Sequence, residues 1–321
     1  MSWWTWHPWA LARSLRDRGV LGINRRTSDY VLRCNARRFF PRVDDKVQTK
    51  RICRENGIRV PETYAVLSRQ GDVRRFADIV AAQSEFVVKP AMGSGGRGIL
   101  VVAGRDGNDF VTSSGAAMPA AEVRYHLSTI LSGLYSLGGQ PDAALIEQRI
   151  VRHPAFASIA VRGTPDIRIV LYRCVPVMAM VRLPTEASRG RANLHQGAVA
   201  AAVDLVSGQT FGGVWRNRPV DAHPDTGATI RGIAIPEWRE LVLGAMRLAD
   251  GLGLGYLGVD FVLDAAAGPV VLEANARPGL AIQTAHRRGL LKRLDWIDAH
   301  MSGPADLESR LEAVRQLNDA D

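Results

Sequence analysis

Two stretches combine residue types that chemistry can use. The first is "FVVKPAMGSGGRGILVV", residues 86–102, where Gly93, Gly95 and Gly98 stand at G-x-G-x-x-G spacing behind Lys89. Glycine opens backbone N–H groups to close approach by an anion, and a neighbouring lysine adds charge, so the pattern suits phosphates. The second sets Asp260 of "GVDFVLD" against Glu273 and Asn275 of "VVLEANA". Residues two apart in a strand face the same way, so Glu273 and Asn275 point together. A hairpin placing Asp260 opposite them gathers three oxygen ligands, the donor type Mg²⁺ takes. The plain alternative is a solvated polar pair. Against it, the strand is otherwise apolar, and buried polar groups on one face need partners.

The glycine loop alone excludes more than it selects. A dinucleotide fold needs strand, loop, then helix, but "ILVVAG" reads as strand. No Gly-Lys-Ser/Thr comes after it, as a Walker loop requires, and the kinase H-R-D and D-F-G motifs are absent. A plain turn between strands remains one reading. The other is a lid: a strand ending in Lys89, a glycine hairpin whose residues 93–98 (Ser94 and Gly96 included) face phosphates, and a second strand. Arg97 at its tip points to solvent on this reading.

The surrounding elements read as mixed α/β with many hairpins. Helices are predicted at 9–19, ended by Gly19; over "SDYVLRCNARRFF", with Ser28 as N-cap; over "DKVQTKRICRENG", capped by Asp44 or Asp45; over "DVRRFADIVAAQ"; across 120–137; and over "IPEWRELVLGAMRLADGLG". Strands are predicted at "PETYAVL", "EFVVKP", "GILVVAG", "DFVT" and "AALIEQRI". Two further hairpins turn near Cys174–Pro176 and at 264–269, and helices close the chain.

In this order the motifs resemble the ATP-grasp superfamily and, within it, the RimK-type α-L-glutamate ligases, over residues 44–290. "DDKVQTKRICRENGIRVPETY" looks like the lysine-bearing helix and adjoining turn of such enzymes, which implies that Lys46 joins Lys89 on the nucleotide. "LIEQRI" is similar to the hinge strand that holds adenine, with Glu147, Gln148 and Ile150 lining it. "DIRIV" matches Asp-Ile-Arg at Asp166 and Arg168, and "VRLP" puts Arg182 at a phosphate-contacting position. "RANLHQGA" resembles Arg-Ser-Asn-Leu-His-Arg-Gly-Gly, which implies nucleotide and metal-side roles for Arg191 and Asn193. "GVDF" with "LEANARPGL" resembles the closing metal strand, with Asp260, Glu273 and Asn275 as ligands.

The resemblance implies an ATP-grasp fold: two α+β lobes clasping ATP, residues 44–150 as the small lobe and 151–302 as the large one, with a helical tail at 303–321. It implies ATP and Mg²⁺, with Mn²⁺ as a substitute, and a carboxylate–amine ligase working through an acyl phosphate. Arg182, Arg168 and Asn193 would serve the reaction. Arg168, His195 and Arg277 would meet substrate, since guanidinium pairs carboxylate bidentately. The usual N-terminal α/β domain is replaced here by the basic helical residues 1–43. A D-alanine–D-alanine-type or sugar-linked ligase, or a non-catalytic nucleotide sensor, stays open as an alternative.

Composition narrows the setting. At 321 residues and 46% hydrophobic, the chain can bury a large core. Its longest apolar runs are strand-sized and too short to span a membrane. Three scattered cysteines read as reduced thiols in the cytoplasm. Residues 1–60 hold 14 basic and 5 acidic residues, so they carry the whole net charge of +9. Trp3, Trp4, Trp6 and Trp9 lead that segment. Tryptophans ahead of arginines suit an anionic membrane surface through residues 1–26, or packing on the body of a protein. No aromatic-basic motif for nucleic acid is present; amino-acid, peptide or small-molecule substrates are the expected partners.

Overall fold

A computed structural model describes residues 8–319 except Ser94, Asn108, Ser302 and Pro304. The site residue Ser94 and the tryptophans at 3, 4 and 6 lie outside the described residues. The chain forms two compact units.

The smaller unit comprises residues 41–55 and 59–151. Its antiparallel sheet uses β1 (Thr63–Leu67), β2 (Phe86–Pro90), β3 (Leu100–Asp106), β4 (Asp109–Thr112), β5 (Ala117–Met118) and β6 (Ala144–Glu147), ordered β1-β6-β2-β3-β4-β5. One face packs a core in which Phe76, Phe86 and Phe110 meet edge to face at 5.3–5.9 Å, with Val123, Leu127 and Ile130 of helix Ala120–Leu131 joining them. Helix Lys46–Glu55 begins as expected: Asp45 accepts from Val47 N at 2.8 Å.

The larger unit comprises residues 1–40, 56–58 and 152–321. Its sheet uses β7 (Asp166–Tyr172), β8 (Val175–Leu183), β9 (Val199–Val203), β10 (Thr210–Trp215), β11 (Arg218–Val220), β12 (Tyr256–Asp264) and β13 (Gly268–Asn275). Their order is β11-β10-β9-β8-β7-β12-β13, antiparallel throughout. Helix Trp238–Leu252 buries Leu241, Ala245, Met246 and Leu248 against it; its apolar residues recur at helical spacing, and Gly253 at φ 68° ends it.

Several sequence expectations need correction. Ser28 caps nothing: a helical stretch already starts at Ile23, and the Ser28 hydroxyl donates back to Asn24 O at 3.1 Å. A wider helical turn spans Arg26–Val31, and the stretch ends at Cys34. "DVRRFADIVAAQ" gives a tight turn at Gln70–Arg75 and a short helix, Phe76–Ile79. The helix expected at 120–137 stops at Leu131, and β6 stops at Glu147. β9, β10 and β11 were not anticipated. No described helix is long and apolar enough to cross a membrane. The three cysteines are free thiols, and burial pushes Cys53 and Cys174 up to about 12.

Candidate active site

In the smaller unit, β2 carries Lys89 and its neighbour β6 carries Glu147. Both side chains are buried, and Lys89 Nζ stands 2.5 Å from Glu147 Oε1. The other Glu147 oxygen is held by Lys50, which also donates to Pro61 O at 2.9 Å and Thr63 Oγ1 at 3.0 Å. Lys50 was not singled out in the sequence. Its only signal is that it stands four residues after Lys46 on one helix, hence on the same face. Burial pulls the Lys50 ammonium down to about 8 even though Glu147 opposes the shift, with Lys89 adding repulsion. Burial also acts to raise Glu147, but the two lysines together hold it below its usual value.

Lys46 sits apart from that trio. Its Nζ donates to Gly93 O at 2.6 Å and Ala91 O at 3.4 Å, bracing the glycine loop from below. Asp142 braces the same loop, accepting from Met92 N at 3.0 Å. The loop is a hairpin between β2 and β3, as expected, with Val88 opposite Leu100. Gly98 has φ 74°, and a Cβ there would lie 2.6 Å from the Tyr135 ring, so no other residue fits. Gly95 and Gly96 also have positive φ but open space around them, which leaves their N–H groups approachable. Gln148 and Ile150 come just after β6 and are half-buried. Gln148 N donates to Glu62 O at 2.8 Å.

In the larger unit, five charged side chains line up across adjacent strands. Register sets Asp166 of β7 opposite Arg182 of β8, Arg168 of β7 opposite Asp260 of β12, and Asp260 opposite Glu273 of β13. Arg168 grips Asp260 with two bonds, Nε at 2.7 Å and Nη2 at 2.5 Å. Arg182 bonds Asp166, through Nε at 3.0 Å, and reaches Asp260 at 3.1 Å. Asp260 is buried, but its two guanidiniums outweigh that cost and hold it down at about 2. Asp166 has one guanidinium, shared; burial and the Asp260 charge push it up, to about 7, against Arg182.

Beyond this neutral quartet stand Glu273 and Asn275, on one face as expected. Asn275 Nδ2 lies 3.2 Å from Glu273 Oε1 and 3.3 Å from Asp260 Oδ2. Two carboxylates therefore converge on one amide, a donor set of hard oxygens that fits Mg²⁺. Asp260 already accepts three guanidinium contacts, so Glu273 has the most open lone pairs. Among the described residues no three His, Cys, Asp or Glu side chains gather as metal ligands; beside Asp260 and Glu273 the third member of the expected set is the amide of Asn275.

The remaining sequence candidates lie in the same unit. Asn193 caps the turn Leu194–Gln196, its Oδ1 accepting from His195 N at 3.0 Å. Arg191 donates to Gln196 Oε1 at 3.3 Å, and His195 is exposed. Arg277 stacks its guanidinium 4.4 Å from the Phe40 ring. Asn35, unremarked in the sequence, is buried and binds the backbone beside the ion cluster: Tyr256 O at 2.6 Å, Ala276 O at 3.1 Å, and Tyr256 N at 3.0 Å.

Two antiparallel α+β units, a glycine hairpin behind a strand lysine, and an Asp/Glu/Asn trio on the last hairpin define an ATP-grasp protein. A family model described as sugar-transfer associated ATP-grasp matches residues 25–299, and the chain belongs to that family. No curated protein matches. Among solved structures, the biotin carboxylase domain of Hydrogenobacter thermophilus 2-oxoglutarate carboxylase, in complex with MgADP, ADP and bicarbonate, is 15% identical, with 93% of this chain and 52% of that one covered and a TM-score of 0.52. The D-alanine–D-alanine ligase of Bacillus anthracis complexed with ATP is 14% identical over 87% of this chain and 67% of that one, at a TM-score of 0.44. The ATP-grasp ligase PsnB complexed with its minimal precursor is 16% identical over 83% of this chain, at 0.45. This chain spans 63% of PsnB, under two thirds of its length. At such identities the likeness is one of fold.

Proposed function

We propose that the protein is an ADP-forming ligase of the RimK type, joining a carboxylate to an amine through an acyl phosphate. A glutamate-like amino acid is one substrate and a peptide or small molecule the other. The observation that carries this reading is the charged face of β8, β7, β12 and β13, where Arg182, Asp166, Arg168, Asp260, Glu273 and Asn275 stand side by side.

The γ-phosphoryl group passes from ATP to the carboxylate oxygen, leaving ADP. The amine lone pair then forms the C–N bond, the C–O bond to phosphate breaks with its electrons on phosphate, and the surplus amine proton passes to solvent. Such chemistry asks for positioning and charge neutralisation. Lys46, Lys89 and the backbone of 93–98 hold phosphates, and the backbone of Glu147, Gln148 and Ile150 holds adenine. Asp260, Glu273 and Asn275 would hold Mg²⁺, or Mn²⁺, which supplies charge neutralisation when bound. Arg182 and Arg168 steady developing charge, each oriented by its own aspartate. Arg191 and Asn193 serve the nucleotide side, and His195 and Arg277 the substrate side. The setting we propose is the cytoplasm, with residues 1–26 as a membrane contact. A second reading, an acceptor carried on a sugar, draws support from the family's description.

The test is ADP and phosphate release from Mg-ATP across amino acids, acidic peptides and amino sugars, for wild type and Glu273→Ala. One amine–carboxylate pair should stimulate release, and Glu273→Ala should lower it about 100- to 1000-fold, the scale of losing a transition-state charge stabiliser. Stimulation only by amino sugars would select the second reading. Failure to bind ATP would sink both.

A further inference from the structure

The turn that follows the Glu273–Asn275 strand is held from the N-terminal end of the chain. β13 ends at Asn275, and residues 276–280 lead into the helix Ala281–His286. The segment from Leu21 to Asn35 ties this stretch at three places in succession. Asn35 donates to Ala276 O at 3.1 Å, and Arg26 Nη1 donates to Pro278 O at 3.1 Å. Gln283 exchanges two bonds with the backbone of Leu21, at 2.8 and 3.1 Å. The outer two ties are buried amides; the middle one is a guanidinium.

The middle tie reaches the ion cluster through packing. Gly258 of β12 is the register partner of Asn275, and it faces both the Pro278 ring and the stem of Arg168. A Cβ at Gly258 would stand 2.8 Å from Pro278 Cβ and 3.9 Å from Arg168 Cδ. A Cβ at Gly279 would stand 3.9 Å from Arg168 Nη1. Asp260 takes Nε and Nη2 of Arg168, so Gly279 lies beside the nitrogen that Asp260 leaves. Arg26 also comes close to β12 itself. Burial pushes the Tyr256 hydroxyl up from its usual value, and the Arg26 charge opposes that shift. Arg26 Nε is buried without a partner among the described residues, a cost in desolvation that its bond to Pro278 O has to offset.

We infer that Arg26 is a positioning residue for the ion cluster. By holding Pro278 O it fixes the turn 276–279 against Gly258. The turn, in its place, keeps Asn275 beside Asp260 and Glu273 and keeps Arg168 on Asp260. Arg26 acts through these residues and touches neither nucleotide nor substrate. The inference rests on the metal reading above.

Two measurements on the full chain test it, each made on wild type, Arg26→Met and Arg26→Lys. Hydrogen exchange of the nucleotide-free chain reads the turn. Arg26→Met should speed exchange over residues 276–281 about fivefold, the scale of one hydrogen bond, with β7 and β8 exchanging as in wild type. Arg26→Lys keeps a charged donor and should recover part of the protection. Electron paramagnetic resonance of Mn²⁺, titrated into the chain with adenylyl imidodiphosphate, reads the site. Arg26→Met should weaken Mn²⁺ about tenfold, the low end of what partners of metal ligands contribute, and leave the metal-free affinity for adenylyl imidodiphosphate as in wild type. Unchanged exchange over 276–281, faster exchange spread through the whole larger unit, or Mn²⁺ bound as tightly as by wild type would each overturn the inference. Wild type that takes up no Mn²⁺ would instead overturn the metal assignment, and the exchange rates alone would then decide whether Arg26 holds the turn.

Discussion

Each unit buries one cluster of ions, and the two clusters differ in their arithmetic of charge. In the smaller unit two lysines share a single carboxylate, Glu147, so the group keeps a positive excess. In the larger unit two arginines meet two aspartates and cancel, and Glu273 stands just outside with its charge unspent. A surplus cation beside a glycine hairpin suits a polyanion; a surplus carboxylate beside a neutral scaffold suits a metal ion. Burial strengthens both preferences, because a low-dielectric surrounding screens charge poorly. The neutral quartet also shows how a sheet can hold charges inside: cross-strand register puts each next to its opposite.

The sharpest way to break the contrast is Glu147→Gln. It strands two buried lysines, and should cost about 3–5 kcal/mol in denaturant unfolding, since the remaining charges lose their only anion. A loss under about 1 kcal/mol would mean that water already reaches the trio.

Asp260→Asn should cost less, about 2–3 kcal/mol, because Arg182 retains Asp166. The same residue sets an acid limit. Its carboxyl sits at about 2 in the folded chain against an ordinary value near 3.8. The stabilisation is therefore present above about pH 4 and is lost as pH falls towards 2. Asp166, pushed up, is largely protonated over that window in the folded chain and does not offset the loss. Acid unfolding curves of wild type and Asp260→Asn should differ by this slope.

Lys50 works at the other end of the scale. Its folded value near 8 lies below the ordinary 10.5. Between those values the unfolded chain holds a proton that the folded chain lacks, so stability rises with pH, by up to about 1.4 kcal/mol per pH unit. Lys50→Met should remove that slope in unfolding measured from pH 8 to 10. The smallest effect expected is from Asn193→Ala, about 1 kcal/mol for a lost turn cap, read as a lower thermal midpoint.

Much of the site was legible because its signals are local. Gly98, Lys89 and the Glu273–Asn275 alternation announce themselves within a few residues, and the hairpin that brings Asp260 opposite Glu273 is short. The long strands β7, β8, β12 and β13 were legible for the same reason, as β-rich runs broken by a turn. Lys50 and Asn35 were not, because what matters about them is a partner far along the chain: Glu147 for one and Tyr256 for the other. Glu147 itself was noticed as part of a strand, but its bond to two lysines depends on how β6 pairs with β2. β9–β11 escaped notice because alanines and glycines, as in Val199–Val203 and Thr210–Trp215, carry weak strand preference and form strands through sheet context. Ser28 misled because a hydroxyl inside a helix can bond backward just as one at its start bonds forward.

The grip of Asn35 on Tyr256 and Ala276 bears on how the chain can be shortened. Removing residues up to 36 would delete the side chain that satisfies three backbone groups at the ends of β12 and β13, and Arg26 with it. Such a truncation should yield aggregated or unfolded protein, whereas one that stops before Leu21 leaves that grip in place. The basic N-terminal region thus divides near residue 19. Residues 19–40 are tied into the larger unit, Gly19 O accepting from Leu291 N at 3.0 Å, whereas Ala10 and residues 12–18 are exposed.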